Sequence, residues 1–205
     1  MNRISSNLVN QQPNHHPYLV LAVIIFSVFL VIGLPLLQVF LATDDFYGHR
    51  NPHPVPEIAD APIPNGGVNL VFFGFSGCAQ TCPMQLANLM ELQPLVDPEM
   101  VHFVYVALDA DRHKAAEIDA TMRQRGPSFR GVVPKNVSEA KQLALAYGGF
   151  ASERGESAPE WERFAHDGRL YVVNDDNLRV LTYLTPTLDM QKVGEDIDKV
   201  IRRGS

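Results

Sequence analysis

The chain has 205 residues, 46% hydrophobic and 20% charged, which suits one folded domain with accessory segments and excludes a disordered polymer. Its net charge is −6 and no cluster of Lys and Arg forms a basic stripe, which argues against a nucleic-acid partner. Charge is also unevenly placed: Arg3 is the only charged side chain before position 41, and all 23 acidic residues come after it.

Residues 1–17 are polar and read as a tail. Tyr18 to Leu41 is then a run of 24 residues without a charge, interrupted only by Ser27, Gly33, Pro35 and Gln38. As a helix it would reach ~36 Å, enough for a ~30 Å hydrocarbon core. A cleaved signal peptide competes with this reading. Its apolar core would be shorter, and bulky Phe40 stands where a cut after Ala42 wants a small residue. We therefore expect an uncleaved transmembrane anchor over 18–41. Arg3 before the span and Asp44 and Asp45 after it place residues 1–17 in the cytoplasm and the bulk of the chain outside. The topology expected is a single pass with the globular domain on the outer side.

Residues 42–67 hold Pro52, Pro54, Pro56, Pro62 and Pro64 and end in Asn65-Gly66-Gly67, a composition that predicts an extended, semi-rigid linker. His49 and His53 lie in it and read as solvated. The globular domain is expected over 68–205.

Val68 to Phe75 is an apolar run rich in Val and Phe, as in a strand buried on both faces. It breaks at Gly74, Ser76 and Gly77, and the chain's two cysteines follow, Cys78 and Cys82. Pro83 then opens a helix, since proline suits the first helical turn. Both thiols thus sit at the positive end of a helix dipole, which favours thiolate. A cysteine is more often an inert buried hydrophobe. Here the polar flanks Gly77, Gln80 and Thr81 favour a reactive pair.

The first helix is expected to turn Leu86, Leu89, Met90 and Leu92 inward and to stop at Pro94. Met84 and Met90 are soft donors in principle, but methionine at helical spacing reads first as core filling. Val101 to Leu108 predicts a second buried strand, Asp109 to Lys114 a loop, and Lys114 to Arg125 a helix stopped by Gly126-Pro127. His102 and His113 read as incidental. Asn136 and Glu139 mark an N-cap, and the helix they open ends at Gly148. Phe150 to Arg163, with Trp161, reads as a charged, solvated insertion. Leu170–Val173, the turn 174–177 and Val180–Leu184 form a hairpin, after which Thr185-Pro186 opens the last helix. Strand–helix–strand–helix, a further helix, a hairpin and a helix describe an α/β, thioredoxin-like domain. Ligands in such sheets bind at the carboxyl ends of the strands, where Cys78 lies.

His166 is the third candidate. It precedes the hairpin beside Asp167-Gly168, and the hairpin should share a sheet with the Cys78 strand, so its loop can reach the thiols. Two thiolates and one imidazole make a soft three-donor set. Zinc wants a fourth ligand for a closed site; copper accepts the S2N set as Cu(I) or Cu(II). Without metal, the same pair can close a disulfide and act as a redox pair.

The block Phe72-Phe73-Gly74-Phe75-Ser76-Gly77-Cys78-x-x-x-Cys82-Pro83 resembles the signature of the Sco/SenC family of membrane-anchored copper proteins, named for synthesis of cytochrome c oxidase. Leu108-Asp109-Ala110-Asp111-Arg112 resembles that family's loop after the second strand. His166, followed by Tyr171, Val172 and the turn Asn174-Asp175-Asp176-Asn177, resembles its third ligand, strand and turn. The resemblance implies a thioredoxin-like domain in the periplasm, or the intermembrane space if mitochondrial, binding one copper ion through Cys78, Cys82 and His166. It implies a client in cytochrome c oxidase subunit II, whose binuclear copper centre it helps to build, or in another copper protein. Either copper delivery or reduction of the client's cysteines fits these residues. Ala79 and Gln80 depart from the Pro and acidic residue usual after the first cysteine, and Ala165 stands where an Asp is common before the histidine. The family's opening hairpin shrinks to the Pro-rich segment 52–67. These differences describe a divergent branch.

Three classes of function follow. A copper-binding assembly factor needs all three residues. A thiol–disulfide oxidoreductase needs Cys78 and Cys82 but not His166. A redox or copper sensor leaves no mark of its own, and a peroxidase would set a single attacking cysteine in other surroundings.

Overall fold

The structure, a computed structural model, describes residues 17–34, 36–37, 46–154 and 158–204. It divides into two compact units, Met1–Asp45 and Phe46–Ser205. In the first, α1 (Pro17–Val28) passes into a π-helical turn, Phe29–Gly33, and side chains such as Leu21, Ile25, Phe26 and Val31 are exposed. Of the expected span over 18–41, Pro35 and residues 38–41 lie outside the described residues, as do 1–16 of the tail. Among the described residues, no helix is long and apolar enough to cross a membrane.

The second unit is built on a six-stranded sheet in the order β1-β8-β7-β2-β3-β4. Its strands are β1 (His49–Pro54), β2 (Val68–Gly74), β3 (Val101–Ala107), β4 (Phe129–Val132), β7 (Leu170–Asn174) and β8 (Leu178–Tyr183). β2, β3 and β4 are parallel; β7 pairs antiparallel with β2, β8 with β7, and β1 with β8. A separate ribbon joins β5 (Ala151–Glu153) to β6 (Phe164–His166). The helices are α2 (Thr81–Leu92), α3 (Ala115–Arg123), α4 (Val137–Ala146) and α5 (Met190–Gly204).

Alternation along β2 divides the core. Leu70 and Phe72 face one layer with Leu89 and Leu92 of α2 and Val193 and Ile197 of α5, while Val71 and Phe73 face the other with Ala140 and Ala144 of α4. Both faces of the sheet are covered, which is why β2 reads as an unbroken apolar run. On α2 the buried positions are Cys82, Gln85, Leu89 and Leu92, one helical face. This is an α/β, thioredoxin-like arrangement, and it carries Cys78 and Asp109 to the carboxyl ends of adjacent parallel strands.

Several expectations need correction. Residues 46–67 are not an irregular spacer: β1 pairs with β8, and Val55, Ile58 and Ala61 are buried in the core. Its prolines are tolerated because β1 is an edge strand. The carboxylate of buried Asp196 in α5 fastens its entry, accepting the N–H groups of Tyr47 (3.0 Å) and Gly48 (2.7 Å). β4 was missed because Arg130 and Gly131 break its apolar pattern. Phe150–Arg163 is not wholly a solvated insertion, since β5 pairs with β6. The last helix starts at Met190 rather than Thr185, with Asp189 accepting the Lys192 N–H as its cap. Met84 and Met90 are exposed rather than core filling. The cap at Asn136 is as expected: its Oδ1 accepts the Glu139 N–H at 2.9 Å.

Candidate metal centre

β2 ends at Gly74, and a short loop carries Cys78 to the N-terminus of α2 while Cys82 lies in its first turn. The two sulfurs and a ring nitrogen of His166 all lie within 4.8 Å of one another. Among the described residues, no further Cys, His, Asp or Glu joins this cluster. Both cysteines are free thiols; Cys78 is half-buried and Cys82 only 6% exposed. Gly74 is required here by packing, since a β-carbon on it would lie 2.5 Å from Cys82 Sγ and 2.8 Å from the Tyr105 ring.

The sulfurs are electrostatically unequal. Cys78 is lowered to about 4, first by the hydrogen bond from the Cys82 thiol, then by the N–H of Cys82, by His166 and by the N–H of Gln80, against the opposing effect of burial. The Cys82 N–H stands 3.4 Å from Cys78 Sγ. Cys82 is pushed up, first by that same shared proton and then by burial and the Cys78 charge. The pair therefore titrates as a unit: an accessible thiolate above a buried thiol that keeps its proton.

His166 ends β6 and stacks edge-on against Phe75, with ring centroids 5.6 Å apart. Its Nδ1 lies 2.7 Å from the carbonyl oxygen of Asp167. A carbonyl can only accept, so Nδ1 carries the proton, and Nε2 is the ring nitrogen left to act as a ligand. A cleft of about 290 Å³ opens onto the site, lined by Cys78, His166, Phe75 and Phe164 with exposed Phe150 and Trp161 on its rim. A larger groove of about 510 Å³ between residues 56–60 and α4 holds no cysteine or histidine.

The loop after β3 supports the thiol loop. Buried Asp109 accepts the Ser76 N–H (3.0 Å) and hydroxyl (2.6 Å) on Oδ2, and His113 Nε2 stands 3.0 Å from the same oxygen. His113 is thus not incidental; it and Asp109 lie on one loop, where a spacing of four does not foretell contact. His49 and His53 remain exposed on β1, away from the cluster, and His102 faces the Pro62 carbonyl at 3.1 Å. Gln85 and Asp167, which flank the site from both limbs, were not singled out by sequence because their partners are set by tertiary packing.

The donor set suits a soft ion. Three ligands from two thiolates and an imidazole satisfy Cu(I) and are accepted by Cu(II), whereas a closed zinc site takes four. The same thiolate–thiol pair is poised for disulfide exchange.

No curated protein matches the chain. Among solved structures, apo Sco1 from Thermus thermophilus is 27% identical, with 79% of this chain and 98% of that one covered and a TM-score of 0.56. Copper-bound ScoI from Arabidopsis thaliana is 20% identical, covering 68% and 87% with a TM-score of 0.58. BsSco, described as having a disulfide switch and as a member of the Sco family of cytochrome c oxidase assembly proteins, is 17% identical, covering 77% and 96% with a TM-score of 0.55. The last two likenesses speak for the fold. Residues 57–202 match the family model described as SCO1/SenC, and the chain belongs to that family.

Proposed function

We propose that the chain is a membrane-anchored copper-binding protein that hands copper to a client while the binuclear copper centre of cytochrome c oxidase is assembled. The observation that carries this reading is the convergence of Cys78, Cys82 and His166 within 4.8 Å. The copper bound to ScoI and the assembly role ascribed to the family of BsSco support it. Copper is the cargo. The Cys78 thiolate, at the mouth of the cleft, is the donor a client sulfur replaces first; Cys82 and His166 hold the ion until the exchange completes. The exposed apolar side chains of α1 support an anchor over 18–41, and Arg3 against Asp44 and Asp45 supports a domain on the periplasmic side.

A second reading draws on the unequal sulfurs and on the disulfide switch of BsSco. The Cys78 thiolate attacks a client disulfide and releases one client thiolate. Cys82 then displaces the other client sulfur, closing a Cys78–Cys82 disulfide, and its proton passes to the leaving thiolate. Two client sulfurs are reduced and two of this chain oxidised.

The His166→Ala variant of the purified chain separates the two. Copper delivery requires that transfer to a client fragment collapses in this variant. Undiminished copper transfer would remove His166 as a required donor, and client reduction that stays intact while no copper is transferred leaves only the dithiol reading.

A further inference from the structure

The backbone that carries His166 is held from two sides, and neither brace belongs to the donor set. On one side stands Gln85, 1% exposed on α2 and three residues beyond Cys82. Its Nε2 donates to the carbonyl oxygen of Gly168, two residues beyond His166. Its Oε1 accepts from Asn88 Nδ2 at 3.1 Å, and Asn88 also donates to the Pro186 carbonyl at 2.8 Å. The buried amide is therefore satisfied at both ends and has one orientation. Gly168 itself lies against the thiol helix, for a β-carbon on it would meet Thr81 Cγ2 at 2.4 Å.

On the other side stands Asp167. Its main-chain oxygen accepts from His166 Nδ1. Its carboxylate accepts the Phe150 N–H on Oδ2 (2.9 Å) and the Tyr171 hydroxyl on Oδ1 (3.2 Å). Tyr171 is fully buried in β7, where it pairs with Val71 of β2, the strand that leads to the cysteines. One brace thus runs from the thiol helix and the other from the central sheet.

We propose that Gln85 and Asp167 are positioning residues that hold the His166 ring in its ligating position before metal arrives. Preorganisation of this kind removes the ordering cost from binding and slows metal loss, since a ring held in place rebinds before the ion escapes. The inference rests on the copper reading only for its effect on metal release; the brace exists in the metal-free chain.

The test uses the full chain in detergent micelles, reduced and metal-free, with labelled histidine rings and His166→Ala to assign the His166 signals. Carbon relaxation and nitrogen shifts of the ring are compared among the parent, Gln85→Met and Tyr171→Phe. Expected is a rigid parent ring protonated at Nδ1, and a mobile ring of mixed tautomers in both variants. With copper loaded, release to a chelator should quicken about tenfold in each variant while the copper-to-chain ratio is unchanged. A mobile parent ring, or parent-like ring relaxation in either folded variant, overturns the proposal. Should Gln85→Met fail to fold, Tyr171→Phe decides, as it removes only a hydroxyl. Should the parent bind no copper, the copper reading falls and the relaxation arm still decides the brace.

Discussion

Ser76 meets Asp109 twice: its N–H and its hydroxyl both end on Oδ2 of that buried carboxylate, at 3.0 and 2.6 Å. The two residues are the first turns out of adjacent parallel strands, so this pair fixes the thiol loop to the sheet. His113 closes the arrangement at 3.0 Å. Asp109→Ala would leave Ser76 and His113 without that acceptor. A loss of about 1–3 kcal/mol in denaturant unfolding is expected from deleting a buried acceptor. Unaltered stability would mean that the loop is held by other contacts.

Gly74→Ala tests the packing beneath the sulfurs. The added carbon would stand 2.5 Å from Cys82 Sγ and 2.8 Å from the Tyr105 ring, both buried. Overpacking at such a place costs about 1–3 kcal/mol. The melting temperature should fall, and copper should bind more weakly because Cys82 must move. Parent-like values in both measurements would contradict the geometry of the β2 exit.

The sulfur pair gives a pH signature in the metal-free chain. Cys78, lowered to about 4, should react with iodoacetamide at a rate that rises through pH 4 and is flat above it, while Cys82, pushed up, stays slow to alkaline pH. Linkage gives the sign for stability. The depressed Cys78 group contributes fully above its unfolded value near 9, and that contribution declines as pH falls toward 4. The raised Cys82 group contributes below about 9 and loses its contribution above it. Alkylation followed by peptide mapping from pH 3 to 10 checks the assignment, and equal reactivity of the two sulfurs at neutral pH would contradict it.

The thiol pair was legible in the sequence because burial on both faces makes β2 an unbroken apolar run, and what interrupts it is polar and holds both cysteines. His166 was reachable only through the hairpin and the family resemblance, since one histidine before a turn has no period to reveal it. β1 was hidden by its prolines, which forbid a central strand but not an edge one. The roles of Gln85 and Asp109 were hidden for another reason. The meaning of a buried polar side chain lies in its partner, and these partners are 83 and 33 residues away.

The account stands most directly on the ligand shell of the copper-loaded chain. X-ray absorption at the copper edge is predicted to show two sulfur scatterers and one imidazole nitrogen, with the nitrogen absent in His166→Ala and sulfur depleted in Cys78→Ser and Cys82→Ser. A shell that is unchanged by His166→Ala would contradict it.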